Sequence, residues 1–199
     1  HRPSEDLFMK ENFGTYRYDI MYNDFVLIGP KNTNATFKNL ADFFIEAGKF
    51  GTFRFISRGD DSGTHKKEIE LWNAFTYSNP SGEWYIEIGS GMGAALNMAS
   101  ATNSYTLSDR GTWLSFKNKG DLEIKWAGDL IMQNPYGLIL VNPDVFPHIK
   151  STQAKIFANW LISSKGQKAI GDFKVDDKQL FCPNADKTNT KSLLACPAN

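Results

Sequence analysis

The sequence predicts an α/β fold with a largely parallel sheet, and three observations carry that reading. Short apolar runs of strand character alternate with longer amphipathic segments of helical period. Glycine, proline or small polar clusters mark the changes from one to the other. No internal repeat or low-complexity linker interrupts the alternation. Of the 199 residues, 41% are hydrophobic and 14% aromatic, enough for a core and unlike a disordered chain. Basic and acidic residues number 22 each, so no net field directs the chain to nucleic acid or an anionic membrane. The longest apolar runs, such as residues 137–141, are too short to span a bilayer.

The elements follow in order. Residues 24–30 (DFVLIGP) form an apolar run stopped by Gly-Pro, a buried strand. The segment FKNLADFFIEAGKF places Leu40, Phe43, Phe44 and Ala47 at helical spacing. Residues 52–57 (TFRFIS) alternate as a strand. SGTHKKEIELWNAF carries Ile69, Leu71, Trp72 and Phe75 between charges, an amphipathic helix. EWYIEIG is a strand ending in glycine. MGAALNMASAT is a helix with Met92, Ala95, Leu96 and Ala99 on its apolar face. SYTLS is a short strand, and the aspartate of DRGTWLSFKN caps a following helix. Residues 136–143 (YGLILVNP) form a second buried run. STQAKIFANWLISSKGQKAIGDF reads as two helices broken at Ser-Lys-Gly, with Ser151 or Thr152 as N-cap. The runs DFVLIGP and YGLILVNP are either two central core strands or a pair of strands crossing between two lobes. The second option makes residues 1–27 and 137–199 one lobe and 28–136 an inserted one.

The chain opens with the polar HRPSEDLFMKEN, shows no signal peptide and lacks an initiator Met, so it reads as processed or truncated at its start. Its two cysteines, Cys182 and Cys196, enclose CPNADKTNTKSLLAC; they form a disulfide that ties down the terminus, or are two free thiols. Asn34 opens an N-glycosylation sequon, meaningful in a eukaryotic secretory setting. These features lean toward a secreted or periplasmic protein.

One constellation carries chemistry. In FISRGDDSGTHKKEIELW a strand runs into a polar turn and then a helix. Ligands of open α/β sheets sit at the carboxyl ends of strands. The first amides of the helix have no internal partner, its dipole favours negative charge, and Gly63 admits a ligand close to the backbone. Ser62 and Thr64 add hydroxyls and Arg58 a planar two-pronged donor. Together these describe an oxyanion site. The alternative is a capped helix with Arg58 paired to Asp60 on the surface. Two more glycine turns, GSGMGAAL and TLSDRGTW, are expected to converge on the same place, the second with Arg110 as another cation or as a salt-bridge partner of Asp109 or a helix end. His1, His65 and His148 lack metal-ligand spacing, no nucleophile–base pairing is visible, and no cofactor is implied, so neither a metal site nor an enzyme is expected.

Read in order, MYNDFVLIGP, SRGDDSGTHKKEIELW, WYIEIGSGMGAALNMAS, YTLSDRGTWLSF, NPYGLILVNP and FANWLISSKGQKAIGDFKVDDKQLFCPNA resemble the tungstate-binding component of bacterial ABC transporters, a type II periplasmic-binding-protein family. The resemblance reaches to about Ala185. It implies two α/β lobes joined by two crossing strands, with a tetrahedral oxyanion in the cleft: tungstate or molybdate first, phosphate or sulfate behind. RGDDSGT is also similar to the anion loop of phosphate-binding proteins, which places Arg58, Ser62, Gly63 and Thr64 on the ligand. Asp60 takes the position that accepts a proton from protonated phosphate, an acceptor deprotonated tungstate does not need. Family members begin with a further stretch bearing a Thr/Ser-rich anion loop that has no counterpart in this sequence. The first lobe is therefore expected to be incomplete, with a separate segment or a second chain completing it, or the binding lost. The implied partners are the anion and an ABC transporter permease. The alternative is a secreted interaction protein that keeps the scaffold without anion transport.

Overall fold

The structure, a computed structural model, describes residues 1–33 and 37–185. In chain order the elements are α1 (Arg2–Lys10), β1 (Gly14–Pro30), α2 (Leu40–Phe50), β2 (Phe55–Ser57), α3 (Gly63–Thr76), β3 (Tyr85–Glu87), α4 (Met92–Thr102), β4 (Tyr105–Asp109), α5 (Arg110–Ser115), β5 (Leu122–Trp126), β6 (Gln133–Val141), α6 (Ser151–Ile162), α7 (Ser164–Asp172), β7 (Lys174–Val175), β8 (Lys178–Gln179) and β9 (Cys182–Pro183). They fall into two compact units: Asp24–Gln133, and His1–Asn23 with Asn134–Asn199.

The Asp24–Gln133 unit is a sheet in the order β3-β2-β4-β1-β5 with helices on both faces. The two-residue strand period sorts its side chains. Phe25 and Leu27 of β1, Phe55 of β2, and Tyr105 and Leu107 of β4 face α2 and α3, where they meet Phe43, Phe44, Leu71 and Trp72. Val26, Ile28 and Ile56 face the other way, toward Met92, Ala95, Leu96 and Ala99 of α4 and Trp113 of α5. Trp72 is fully buried and packs edge-on to Phe44 at 4.5 Å and to Phe55 at 5.4 Å.

The sheet is mixed rather than largely parallel. β2, β3 and β4 are parallel, joined by the helical crossovers the alternating pattern announced. β1 is antiparallel to β4 and to β5. β5, half-buried, had no apolar run to mark it.

In the other unit the first half of β1 pairs with β6 and β9. That half is mostly exposed or partly exposed, with tyrosines and charges along it, so only the buried stretch from residue 24 stood out as a strand. The opening helix α1 buries no residue; Pro3 sits in its first turn, and Glu5 pairs with Arg17 at 2.6 Å. Neither Ser151 nor Thr152 caps α6, whose N-cap is Lys150 without a side-chain bond. The break falls one step before Ser-Lys-Gly, at Ser163, whose Oγ accepts the Gly166 N–H at 3.2 Å and caps α7. Among the described residues no helix is long and apolar enough to cross a membrane.

Candidate functional site

The parallel strands β2, β3 and β4 end side by side at Ser57, Glu87 and Asp109, and a helix N-terminus follows each. Two backbone bonds join the first two turns: the Ile88 N–H donates to the Ser57 carbonyl and the Ser90 N–H to the Arg58 carbonyl, both at 3.1 Å. The turns SRGDDSG and GSGMG are therefore neighbours, as the sequence led us to expect. The third, at the end of β4, lies on the adjacent strand.

Within the first turn, Gly59 adopts φ +58°, and a Cβ there would sit 2.7 Å from Glu87 Cβ, so this position takes only glycine without displacement. Ser62 caps α3: its Oγ accepts the His65 N–H at 3.3 Å, and its carbonyl accepts the Lys66 N–H. That leaves the amides of Gly63 and Thr64, which no helical carbonyl can reach. A Cβ on Gly63 would meet nothing within 4 Å, and the same holds at Gly89, Gly91 and Gly93 across the neighbouring turn. The chain here offers backbone to open space. Thr64 is buried, and Ser62 is partly exposed.

Arg58 and Asp60 form a pair. Asp60 Oδ2 accepts from Arg58 Nη2 at 2.5 Å and from Nε at 3.1 Å, while Oδ1 accepts the Ser62 N–H at 3.2 Å. Desolvation pushes the Asp60 carboxyl up, but the bonds from Ser62 and Arg58 outweigh it and hold the group at about 2. Of the two readings of Arg58, the pairing with Asp60 is observed, and the pair sits at the helix mouth. Arg58 Nη1 lies outside the pair. His65 Nδ1 accepts the Asp61 N–H at 3.1 Å, so the ring proton is on Nε2, which is buried without a hydrogen bond and lies 3.6 Å from Glu87 Oε1.

Arg110 is 7% exposed and engages Asp24 of β1 through Nε and Nη2, both at 2.6 Å. Neither Asp109 nor a helix end is its partner. Asp109 caps α5 instead, accepting the Thr112 N–H at 2.8 Å. Asp24 is 86 residues from Arg110 in sequence, a pairing that only the β1–β4 register makes adjacent.

Glu68 was missed. It is 2% exposed, one turn and a half into α3. Its Oε2 accepts from Ser57 Oγ at 2.8 Å and its Oε1 from Tyr85 Oη at 2.7 Å. Burial raises its carboxyl, the bonds from Tyr85 and Ser57 pull it back in part, and the balance stands at about 7. Burial and the neighbouring Glu68 likewise push the Tyr85 phenol up. A signal existed: Glu68 stands three before Leu71 and four before Trp72, on the helix stripe that faces the core.

Of the remaining sequence-stated residues, Asn34 and Cys196 lie outside the described residues. Cys182 is buried on β9, opposite Tyr22 of β1. Among the described residues no three His, Cys, Asp or Glu side chains gather as a metal site would need.

Residues 1–165 match the family model described as the PBP superfamily domain. The chain belongs to the PBP superfamily. Among its PBP relatives, a protein of Haloferax volcanii named as a candidate ABC transporter anion-binding protein is 42% identical over 206 residues, taking in 100% of this chain and 60% of the relative. The tungstate-binding protein TupA of Peptoclostridium acidaminophilum is 42% identical over 192 residues, 94% of this chain and 67% of that protein. The solved structure of TupA from Desulfovibrio alaskensis superposes with a TM-score of 0.79 at 40% identity, over 94% of this chain and 77% of that one. The chain thus spans between three-fifths and about two-thirds of the length of these two sequence relatives. The mixed sheet with flanking helices is that of a PBP-like protein.

Proposed function

We propose that this chain binds a tetrahedral oxyanion at the mouth of α3, as the solute-binding part of an ABC transporter working outside the cytoplasm. The observation that carries this is the pair of uncommitted amides at Gly63 and Thr64, with open space at Gly63 and a guanidinium held in place beside them. Each residue has a role. Gly63 and Thr64 donate backbone N–H groups, and the Ser62 and Thr64 hydroxyls add donors. Arg58 supplies the charge, aimed by Asp60. Arg110, neutralised by Asp24, fixes the end of β4 beside the site.

Tungstate and molybdate rank ahead of phosphate and sulfate. The TupA relatives support that order. Asp60, ionised and already accepting from Arg58 and Ser62, serves in this reading to aim Arg58. For a chain working outside the cytoplasm we further read Cys182 and Cys196 as a disulfide. Alkylation should then find no thiol until the protein is unfolded and reduced.

Calorimetric titration with tungstate, molybdate, phosphate and sulfate tests the reading. Heat with the first two at concentrations where the last two are silent is the expected result. No heat and no thermal shift with any of the four overturns it. Absence of turnover on a chromogenic phosphate ester is expected alongside, since among the described residues no nucleophile–base hydrogen bond lies at the α3 mouth.

A further inference from the structure

Glu68 has no part in the anion site as described, yet it is tied to it. Ser57 Oγ stands between them: it donates to Glu68 Oε2 at 2.8 Å and accepts the Gly59 N–H at 3.2 Å. Gly59 is the left-handed residue of the turn, hemmed in by Glu87, and its neighbours on either side are Arg58 and Asp60. A buried carboxylate, a serine hydroxyl and the amide of the anion turn therefore form one hydrogen-bond chain, each bond polarising the next. Glu68 also lies on the helix whose N-terminus is the site.

We propose that Glu68 is a positioning residue for the anion turn, holding Gly59 through Ser57 and, by gaining or losing its proton, setting the affinity of the turn for a dianion. The inference rests on the oxyanion reading of the site. Two consequences follow from its place in the fold. The ionised carboxylate makes Ser57 Oγ a stronger acceptor and locks the turn. It also sets a negative charge in a low-dielectric interior, about 1.5 Å of helix rise per residue below Gly63. A dianion at the helix mouth feels that charge with less screening than it would from a surface group. Charge outweighs the loss of one shared hydrogen bond, so the site binds more tightly with Glu68 protonated, and binding draws a proton onto it.

The groups able to tune that proton are few. β2 presents Ser57; β3 presents Tyr85, whose hydroxyl bonds Oε1, and Glu87, whose charge favours protonation. On α3 itself His65 lies one turn earlier. β4 faces this helix with Tyr105 and Leu107, and α2 with phenylalanines. Burial is the largest of these influences; with Glu87 it outweighs the bonds from Tyr85 and Ser57 and the pull of the Trp72 side chain, and brings the carboxyl to about 7.

Two measurements test this on the full chain. The first is tungstate titration from pH 6 to pH 8.5 in buffers of different ionisation enthalpy, on wild type and Glu68→Gln. Wild-type affinity should fall several-fold as pH rises through neutrality, with proton uptake on binding, while Glu68→Gln should show neither. Identical profiles for the two proteins overturn the proposal and leave the anion reading intact. The second needs no ligand: the Gly59 amide resonance should titrate near neutral pH in wild type and stop doing so in Glu68→Gln and Ser57→Ala. A Gly59 amide that ignores pH, or titrates unchanged in Glu68→Gln, overturns the proposal by itself. If Gly59 titrates as expected and tungstate gives no heat with wild type, the hydrogen-bond chain stands and the oxyanion reading falls.

Discussion

At the residue scale, two glycines four positions apart have opposite jobs, and substitution separates them. Gly63 has ordinary backbone geometry at the first position of α3 and open space where a Cβ would go. Gly63→Ala should leave the melting temperature unchanged or slightly raised, because alanine is the better helix residue by about 1 kcal/mol in a helix interior and less at its first turn. Its methyl should nonetheless intrude on the anion and weaken tungstate binding tenfold or so, a cost of roughly 1.4 kcal/mol. Gly59 sits at φ +58° with Glu87 Cβ 2.7 Å from the missing side chain. Gly59→Ala should lower stability by about 1–3 kcal/mol and disturb binding only as a consequence. Paired denaturation and calorimetry on both variants check this. A Gly63→Ala protein that binds as wild type would mean the α3 mouth does not touch the ligand. Arg58 was readable either as a clamp or as a partner of Asp60, and the pairing is the one the structure shows. The arginine-to-aspartate spacing of two residues closes the bond that aims it.

At the scale of elements, α3 connects site and core, and its pH behaviour is the sharper test. Glu68 is almost fully buried and its carboxyl stands at about 7, above an ordinary value of 4.5. The folded state therefore holds a proton that the unfolded chain releases between these values. The stability this brings is complete below pH 4.5 and is lost as pH rises through about 7, on the order of 3 kcal/mol across the window. Asp60 acts in the opposite sense, its contribution present above its ordinary carboxylate range and lost only toward pH 2. Urea unfolding at pH 5, 6, 7 and 8 should show wild type losing stability up the series, with Glu68→Gln losing distinctly less. A second element-level test is Arg110→Ala. It strands Asp24, side-chain exposure 9%, without its partner and should cost about 3–5 kcal/mol. A cost below 1 kcal/mol would show that water or another donor takes over. The sequence made α2, α3 and α4 legible because each has an apolar stripe at helical period flanked by polar residues. It hid α1, the first half of β1, and β5, which bury little and so carry no period. It also hid the partners of Arg110 and Glu68, since each side chain leaves a helix for a strand that sequence distance does not connect to it.

For the molecule as a whole, what the sequence states best is a sheet end. Three parallel strands followed by three helix starts must place their turns on one edge, so the convergence of SRGDDSG and GSGMG follows from topology. The antiparallel passage of β1 through that sheet does not, because a fully buried run of seven residues looks the same in either direction. The whole-molecule consequence of a working site is stabilisation by ligand. On the proposed reading tungstate binds the folded chain and not the unfolded one, so at a free concentration a hundred times its dissociation constant it should add about 2.7 kcal/mol. For a chain of this length each kcal/mol moves the midpoint by roughly 2–4 °C, giving an expected rise of about 5–10 °C. The rise should grow with the logarithm of tungstate concentration, appear with molybdate, and be absent with chloride at matched ionic strength. It should shrink in Gly63→Ala and Arg58→Ala, whose own midpoints serve as references. A rise of equal size in those variants would place the anion elsewhere on the molecule. A rise that keeps its logarithmic dependence in wild type and is smaller in both variants at the same tungstate concentration would tie stability, α3 and ligand into one equilibrium.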